Sequence, residues 1–520
     1  MKLRIIHLDD DLVAIDKPIA MPTHAPQPDP AGADVVSVLS RQLGVDYLGV
    51  HQRLDADTSG VMLFARRREA NAGLAAAFAS RDVHKHYAAL VHGAPSPSSG
   101  TIDLPIAPAD GGLRAVAEPG DPMAQRAVTR YATRWTSPDG LVSLVDLHPE
   151  TGRTHQLRVH LRAIGTPIVG DPLYDPGRPF PRLMLHACAL DLTHPTSGEP
   201  LRLVAELPQG FDRDSWVTAR GFADERLALR LAIDRRAPLL ADPATTACRL
   251  VNGVADAMPG VVVDRIGSVY RIDVGGEDPG DRPRGEALRE RIAALVAKLT
   301  SGLTDIATHD GSDGDSHAIV IDAIPFVTCT ISGRTLPALQ YRETTSRVRE
   351  WCRGRRVLAC GVTAAGLSHG AHAGAADLFV VERARPLLKW LGDAVGQDAR
   401  VGMVAGELHE QLDRLARNGR QFEVVLIDLR AVLSRAPRGT RTLERAIGAA
   451  LALVERGGLA VLCLDDRRVT RRAYRRIVSE AARSVSATIE IAGLYGASPI
   501  DFPVVAGAES ALKVMAVRVD

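Results

Sequence analysis

The chain has little aromatic character: Phe, Trp and Tyr make up 4% of its 520 residues. Its cores must therefore be built from Ala, Leu and Val, and a nucleic-acid binder that relies on many stacking platforms is disfavoured. Lysine is scarce too. Six occur, at positions 2, 17, 85, 298, 389 and 513, and arginine supplies the rest of the 63 basic residues. The six cysteines are scattered without a C-x-x-C pair, which argues against a structural zinc site and for a reducing compartment. No apolar run approaches ~18 residues, so no membrane-spanning helix is expected. Met1 to Asp11 lacks the unbroken apolar stretch of a secretory leader. These absences leave the cytoplasm as the expected compartment. Net charge is nearly absent, at 63 basic against 62 acidic groups, so no global field steers the chain toward RNA or a membrane.

What is present is ordinary for a globular chain: 46% hydrophobic and 24% charged residues. That is enough apolar surface for more than one core, and it excludes a disordered, collagenous or disulfide-stapled protein. At roughly 150 residues per domain, two to four domains are expected.

Two patterns divide the chain. Arg4 to Leu8 and Leu12 to Ile15 read as strands around the acidic turn Asp9-Asp10-Asp11. Val35, Val38, Leu39 and Leu43 have helical spacing, and Ala70 to Ser80 is Ala-rich and helical. Val61–Ala65, Tyr87–Val91, Leu141–Leu147 and Leu201–Val204 are strand-like. This first part is α+β without βαβ regularity. Pro208-Gln209-Gly210 closes it, and a helical stretch follows from Glu225 to Leu240. From Arg355 onward, short apolar strands at Val357-Leu358, Leu378–Val381, Val424–Ile427 and Leu459–Leu462 alternate with helix-length segments, a doubly wound α/β signature. Residues 1–212 hold 20 basic and 24 acidic groups. A nucleic-acid site there must rest on a local positive patch.

The sharpest chemical signal is Arg53-Leu54-Asp55-Ala56-Asp57-Thr58-Ser59-Gly60. An Asp beside an Arg, just before a turn into a buried strand, is a carboxylate held ionised as nucleophile or base. Taken alone, the same residues also fit an Asx-type turn with a structural salt bridge. Three further blocks bear on the choice: Asp16-Lys17-Pro18, Lys85-His86-Tyr87 through Gly93, and Gly152-Arg153-Thr154-His155-Gln156-Leu157-Arg158-Val159-His160. Together, in this order, the four blocks resemble the RluA family of pseudouridine synthases. The likeness covers about residues 3–211 and includes Gly165–Leu173 and Leu185-His186-Ala187. It implies a mixed β-sheet with a central cleft. It implies Asp55 as catalytic aspartate, Tyr87 as active-site tyrosine and Arg158 as the arginine paired with the aspartate. Arg53 would fill the gap left by a flipped nucleotide. One departure is that Gln52 separates His51 from Arg53, where the family usually reads His-Arg-Leu-Asp.

His84, His86, His155 and His160 invite a metal reading, but no H-E-x-x-H pattern or Cys pair supports it. The expectation is no metal. Arg153 to Arg162 has three arginines and no acid. It reads as a solvated strand edge or, beside the Asp55 cleft, as a phosphate contact, with Arg153 and His155 as RNA-binding candidates.

The C-terminal part has a likeness of its own. Arg249 to Gly253, Pro259 to Arg265 and Gln340-Tyr341-Arg342-Glu343 resemble the RlmI-like class of rRNA cytosine-5 methyltransferases over about 225–520. The likeness implies a Rossmann-like fold and S-adenosylmethionine as cofactor, but the matching positions are worn. The acid of the cofactor loop reads Ala359 and its Gly pair reads Ala365-Gly366. Asp-Pro-Pro reads Asp428-Leu429-Arg430, and the nucleophilic Cys position reads Asp465, two residues from Cys463. Glu382 remains as a ribose-binding candidate. Arg467, Arg468, Arg471, Arg472, Arg475 and Arg476 fall at helical spacing opposite Ala473, Ile477 and Ala481. That is a solvated helix face or a phosphate-tracking one.

The expectation is a pseudouridine synthase domain over 1–212, a small α+β linker domain over 213–340 and a degenerate methyltransferase-type domain over 341–520. The partner is RNA, ribosomal or transfer, with no DNA and no membrane. Pseudouridine formation needs no cofactor. The alternative is a bifunctional enzyme that also methylates RNA. Intact Asp55, Tyr87 and Arg158 argue against a non-catalytic RNA-binding protein.

Overall fold

The computed structural model describes residues 2–24, 34–80, 82–178, 180–218, 224–267, 269–274, 282–299, 318–321, 324–327, 329–331, 334–336, 338–362, 366–430, 440–466, 468–497, 502 and 510–520. The first part is built on one mixed sheet. Its elements run β1 (Arg4–Leu8), β2 (Leu12–Lys17), α1 (Val35–Leu43), β3 (Gly49–Val50), β4 (Ser59–Ala65), α2 (Arg68–Ser80), β5 (His84–His92) and β6 (Ser99–Asp103). They continue through β7 (Ile106–Pro108), β8 (Arg114–Val116), β9 (Val128–Thr136), β10 (Val142–Pro149), α3 (Gln156–Ala163), β11 (Leu185–Thr193) and β12 (Pro200–Val204). The strand order is β1-β2-β4-β11-β5-β10-β9-β6, with β12 added to β11 and β3 to β4.

Sequence pattern explains most of these elements. β4 is buried along its whole length, as a near-continuous apolar run requires of a central strand. α1 is capped by Asp34, which accepts from Ser37 N–H, and it ends on Gly44 in the left-handed region. β4 and β11 are parallel, whereas both neighbours of the pair run antiparallel to it. Gly60 lies at this junction with φ +113°, where a Cβ would meet the carbonyl oxygen of Ala187 at 2.2 Å. Only glycine fits there, and the chain just before it is the Asp55 loop.

A second part follows, with α4 (Arg213–Thr218), α5 (Glu225–Leu240), a meander of β13 (Ala247–Asn252), β14 (Val261–Ile266) and β15 (Val269–Val274), and α6 (Arg282–Leu299). Two hairpins succeed it: β16 (Ala318–Ile321) with β17 (Ile324–Val327), and β18 (Cys329–Ile331) with β19 (Arg334–Leu336). α5 is shared between cores. Leu227 and Leu231 pack with Met184 and Phe211 of the first part. Ala228, Leu229 and Ala232 pack with Ile19 and Ala20 as well as with β13 and β14.

The last part is a doubly wound sheet. Its elements are α7 (Arg342–Trp351), β20 (Arg356–Cys360), α8 (Leu367–Gly374), β21 (Asp377–Glu382), α9 (Arg385–Val395), β22 (Val401–Ala405) and α10 (Leu408–Arg417). β23 (Phe422–Asp428), α11 (Thr440–Leu451), β24 (Val454–Asp465), α12 (Arg471–Ser484), β25 (Ile489–Tyr495) and β26 (Leu512–Val519) complete it. The order is β22-β21-β20-β23-β24-β26-β25, parallel except for the pairings of β26. Among the described residues no helix is long and apolar enough to cross a membrane.

Candidate active site

Asp55 lies in the loop between β3 and β4. That loop is held from behind. The buried Lys17 ammonium donates to the carbonyls of Pro18, Met21 and Ala56 at 2.7–2.8 Å. Thr23 Oγ1 donates to Leu54 O, and Met21 N–H donates to Ala56 O. Burial pulls the Lys17 ammonium down to about 7, against the opposing pull of Asp57 and Asp55.

Arg158 supplies the charge partner. It is 3% exposed, and its Nη1 donates to Asp55 Oδ2 at 3.0 Å. Its other face is locked by Asp171, which is fully buried and accepts from Nε at 2.8 Å and from Nη2 at 2.6 Å. Asp171 Oδ1 also accepts the N–H groups of Leu173 and Tyr174. The guanidinium therefore presents one nitrogen to Asp55 from a fixed fork. Burial opposes its charge, but the two carboxylates more than offset that, and its pKa is raised. The Asp55 side chain stays 28% exposed, open on the side away from Arg158.

His155 completes the rim. It caps α3 in the left-handed region, with φ 58°. Tyr174 Oη accepts from Arg114 N–H and lies 2.8 Å from His155 Nδ1. His155 Nε2 lies 3.8 Å from Asp55 Oδ2. Burial, with Arg158 and Arg114 nearby, lowers the His155 pKa. Tyr87 is half-buried on β5, between Leu147 of β10 and Ala187 of β11. Burial raises its pKa, and the charge of Asp55 adds to the shift.

The structure thus brings together Asp55, Tyr87, Arg158 and His155. Arg53 is exposed in the same loop and makes no ion pair among the described residues. Arg153 is exposed, and its Nε donates to Arg126 O. The segment from Arg153 to Arg162 is no strand edge: from Gln156 it is α3, because Gln156 folds back onto Thr151, Thr129 and the Arg153 N–H to start a helix. That helix turns Arg158 inward and leaves Arg162 outside. His51 turns away from the cleft and bonds Asn71 Oδ1 of α2, while Gln52 bonds Val61 O. His160 is buried on Thr129 and Leu104 O, and His86 bonds Asp191. Among the described residues no group of three or more His, Cys, Asp or Glu side chains could hold a metal ion. Asp171 escaped the sequence reading as a partner of Arg158. Its one signal was Gly170-Asp171-Pro172, a turn in which a Cβ on Gly170 would meet Arg182 O at 2.0 Å.

The C-terminal sheet gathers a different cluster. Glu382 ends β21 and is buried, and its Oε1 accepts the N–H groups of Arg383 and Ala384. Ala359 is fully buried in β20, and Gly366 opens α8 with φ 77°. Ala365 lies outside the described residues. At the ends of β23 and β24, Arg430 bridges two acids, donating from Nη1 to Asp465 Oδ2 at 2.9 Å and from Nη2 to Asp428 Oδ2 at 3.1 Å. Gln340 Nε2 reaches Asp465 Oδ2 at 3.4 Å, and Arg430 stands 5.7 Å over the Tyr341 ring. Cys463 is wholly buried, and its thiol pKa is raised well above the usual value by burial and by Asp428.

The arginine face is smaller than its sequence spacing suggests. α12 begins at Arg471 because Thr470 caps it. Arg468 precedes the helix and pairs with Asp466 at 2.5 Å, and Arg467 lies outside the described residues. Arg471, Arg472, Arg475 and Arg476 remain as the exposed face, with Ile477 and Ala481 buried opposite and Ala473 half-buried.

A family model described as RNA pseudouridylate synthase matches residues 11–163. The ribosomal large subunit pseudouridine synthase D of Xanthomonas campestris is 38% identical over 231 residues, covering 41% of this chain and 68% of that protein. That of Zymomonas mobilis is 35% identical over 229 residues, covering 40% and 70%. A solved structure from Streptococcus mutans, described as a candidate SAM-dependent methyltransferase, aligns with TM-score 0.50 at 16% identity, over 64% of this chain and 89% of that one. At that identity the likeness speaks to the fold alone.

Proposed function

The chain belongs to the RNA pseudouridine synthase family, and from that premise we propose how its residues perform the isomerisation. The target uridine leaves its stack, at a cost of a few kcal/mol, and Arg53 takes the vacated space. Asp55 attacks the sugar or removes a sugar proton, and the bond from N1 of uracil to the sugar breaks. Uracil rotates and its C5 bonds to the same sugar carbon, as Asp55 is released from the sugar or returns the sugar proton; the C5 proton then leaves and N1 takes up a proton, so no atom is gained or lost. Tyr87 takes part in the C5 transfer. Burial holds its phenol neutral, so it acts as a relay: its oxygen accepts the C5 proton while its own proton goes to solvent, from which N1 is protonated. Arg158 orients Asp55 and gives it a counter-charge at 3.0 Å.

The observation that bears most on this reading is the 3.0 Å contact of Asp55 with an arginine already anchored on Asp171. A structural salt bridge would spend both carboxylates alike, whereas here one is buried and the other open. Arg153 and His155 serve as RNA contacts at the rim. The names of the relatives support large-subunit ribosomal RNA as the substrate. Asp55→Asn is expected to keep fold and RNA affinity and to abolish pseudouridine formation, because an amide neither attacks nor accepts the proton. Appreciable turnover by that variant would sink the assignment.

The chain is read as three units, 1–212, 213–340 and 341–520, with the last retired from methyl transfer. S-adenosylmethionine is the cofactor its fold implies, and the positions for methyl transfer are altered: Arg430 bridges the two strand ends where a target base would be gripped, and Cys463 stays a buried thiol. Glu382 keeps the position for a ribose contact, with one oxygen spent on its own turn. The unit then orients RNA for the synthase.

A further inference from the structure

A second buried arginine lies beneath the Asp55 loop. Arg182 is 2% exposed. Its Nη2 donates to Ser59 Oγ at 2.5 Å, its Nη1 to Asp234 Oδ2 at 2.9 Å and its Nε to Leu183 O at 3.4 Å. Ser59 is the first residue of β4, four after Asp55. Burial and the Arg182 charge pull His186, on β11, down to about 3, and its Nε2 faces the Ala205 carbonyl, so Nδ1 accepts the Ser59 hydroxyl proton at 2.8 Å.

Asp234 comes from elsewhere. It lies on α5, beyond residues 11–163 that carry the family pattern, and it is the ion-pair partner of Arg182 among the described residues. The helix is firmly seated. Arg235 donates to Pro181 O, and Arg236 makes a fully buried two-pronged pair with Asp256 at 2.7 Å. Ala228, Leu229 and Ala232 of the same helix pack on Ile19 and Ala20, next to Lys17 and its staple on the Asp55 loop. Asp16 and Asp57 stand within electrostatic reach of Arg182.

We propose that Asp234 is a positioning residue of the synthase site, so that the unit following the synthase completes the active site of the first. The proposal rests on the reading of Asp55 given above. A buried guanidinium needs a carboxylate. With Asp234 in place, Arg182 is drawn to α5 and keeps one nitrogen on Ser59, fixing the start of β4. Without it, the charge turns to the other acids nearby. One of these is Asp57, inside the loop that carries Asp55. The loop would then shift against Arg158, and a displacement of about 1 Å at reacting atoms costs as much as ~100-fold in rate.

The test compares Asp234→Asn, Asp234→Glu, Ser59→Ala and the Asp234→Asn/Ser59→Ala double variant in the full chain. The substrate is unmodified large-subunit ribosomal RNA, and unfolding is followed alongside to show that each variant is folded. Asp234→Asn should lower kcat by about 10- to 100-fold with KM for RNA retained, and Asp234→Glu should restore most of the rate. Residues in one network are not additive, so the double variant should be no slower than the slower single one. Wild-type kcat in Asp234→Asn, or losses that multiply in the double variant, would overturn the proposal. Should Asp234→Asn not fold, a wild-type kcat in Ser59→Ala overturns it equally. None of these outcomes touches Asp55, whose own role fails only if Asp55→Asn turns over.

Discussion

Two arginines in this molecule each stand between two aspartates, and they do opposite things. Arg158 gives two nitrogens to the fully buried Asp171 and one to Asp55, which keeps an open side. Arg430 likewise gives two nitrogens to the buried Asp428 and one to Asp465 at the ends of neighbouring strands, but Gln340 also reaches the second acid. In the first arrangement the asymmetry leaves one carboxylate oriented and reachable. In the second, the outer acid is less exposed and is shared with Gln340, and it is the arginine, 32% exposed against 3% for Arg158, that lies open. The same residue types at similar distances form the proposed reaction centre in one case and a strand-end cluster in the other. What differs is which group has been left a free face.

The comparison breaks most severely if its fixed end is removed. Asp171→Asn leaves Arg158 with Asp55 as its remaining carboxylate, and the guanidinium is then free to rotate onto it. Activity should fall by about 100-fold with little change in RNA affinity. Unfolding free energy should drop by about 3 kcal/mol, as for a buried pair that loses one partner. Steady-state kinetics and denaturant unfolding measure the two effects separately. A stable variant at full rate would mean that Asp55 orients itself.

A smaller and more selective loss is expected at Arg53, the exposed cation of the same loop. Arg53→Ala should slow reaction on a structured RNA loop far more than on an unstructured strand, because only the former has a stack to hold open. Rates on the two substrates, taken side by side, decide this. Equal losses would assign Arg53 to general electrostatics.

How far the site was legible in the sequence follows from the range of its contacts. Asp55, Tyr87 and Arg158 each sit in a short ordered block, and a block survives as a pattern even when its members lie 103 residues apart, as Asp55 and Arg158 do. Asp171 lies 13 residues from Arg158 yet was missed, because a Gly-Asp-Pro turn reads as a turn and nothing local announces a buried ion pair. Arg182 and Asp234 are 52 residues apart and in different units, and no periodicity links them. Strands were legible where apolar runs are long, as in β4. β11, central in the sheet, was not foreseen as a strand, because its polar members His186 and Asp191 interrupt the run and find partners only across the sheet. α12 shows the reverse error. Helical spacing of arginines extended the predicted face back to Arg467, which lies outside the described residues, but Thr470 caps the helix, and Arg468 answers to Asp466 instead.

That shortened face sets the next prediction. If Arg472 and Arg475 bind phosphates, replacing both with Gln should weaken binding to every RNA alike. The salt dependence should become shallower by up to ~0.7–0.9 log unit for each phosphate that is no longer neutralised. Titrations over a range of salt concentrations measure the slope, and an unchanged slope would leave the helix as a solvated surface.

The smallest effect is expected at the strand-end cluster, where activity should stay as it is. Cytosine-5 methylation needs a thiolate to add to carbon 6 of the base. Cys463 is the nearest thiol to the position where that group is expected, yet it lies fully buried inside β24, with its pKa pushed well up. A thiolate there would face Asp428, an acid itself buried and pushed toward its neutral form. The arrangement disfavours a second negative charge at that point. Arg430, which offsets Asp428, is also committed to Asp465, so reopening the space would leave two acids facing each other. Cys463→Ala should therefore leave pseudouridine formation unchanged, and no methyl group should pass from labelled S-adenosylmethionine to RNA in either protein. Calorimetric titration of the full chain with S-adenosylmethionine should show no micromolar binding. Methyl incorporation that Cys463→Ala removes would mean that Arg430 swings out and the thiol ionises when RNA is bound. The two arginines would then differ only in the state in which each is seen.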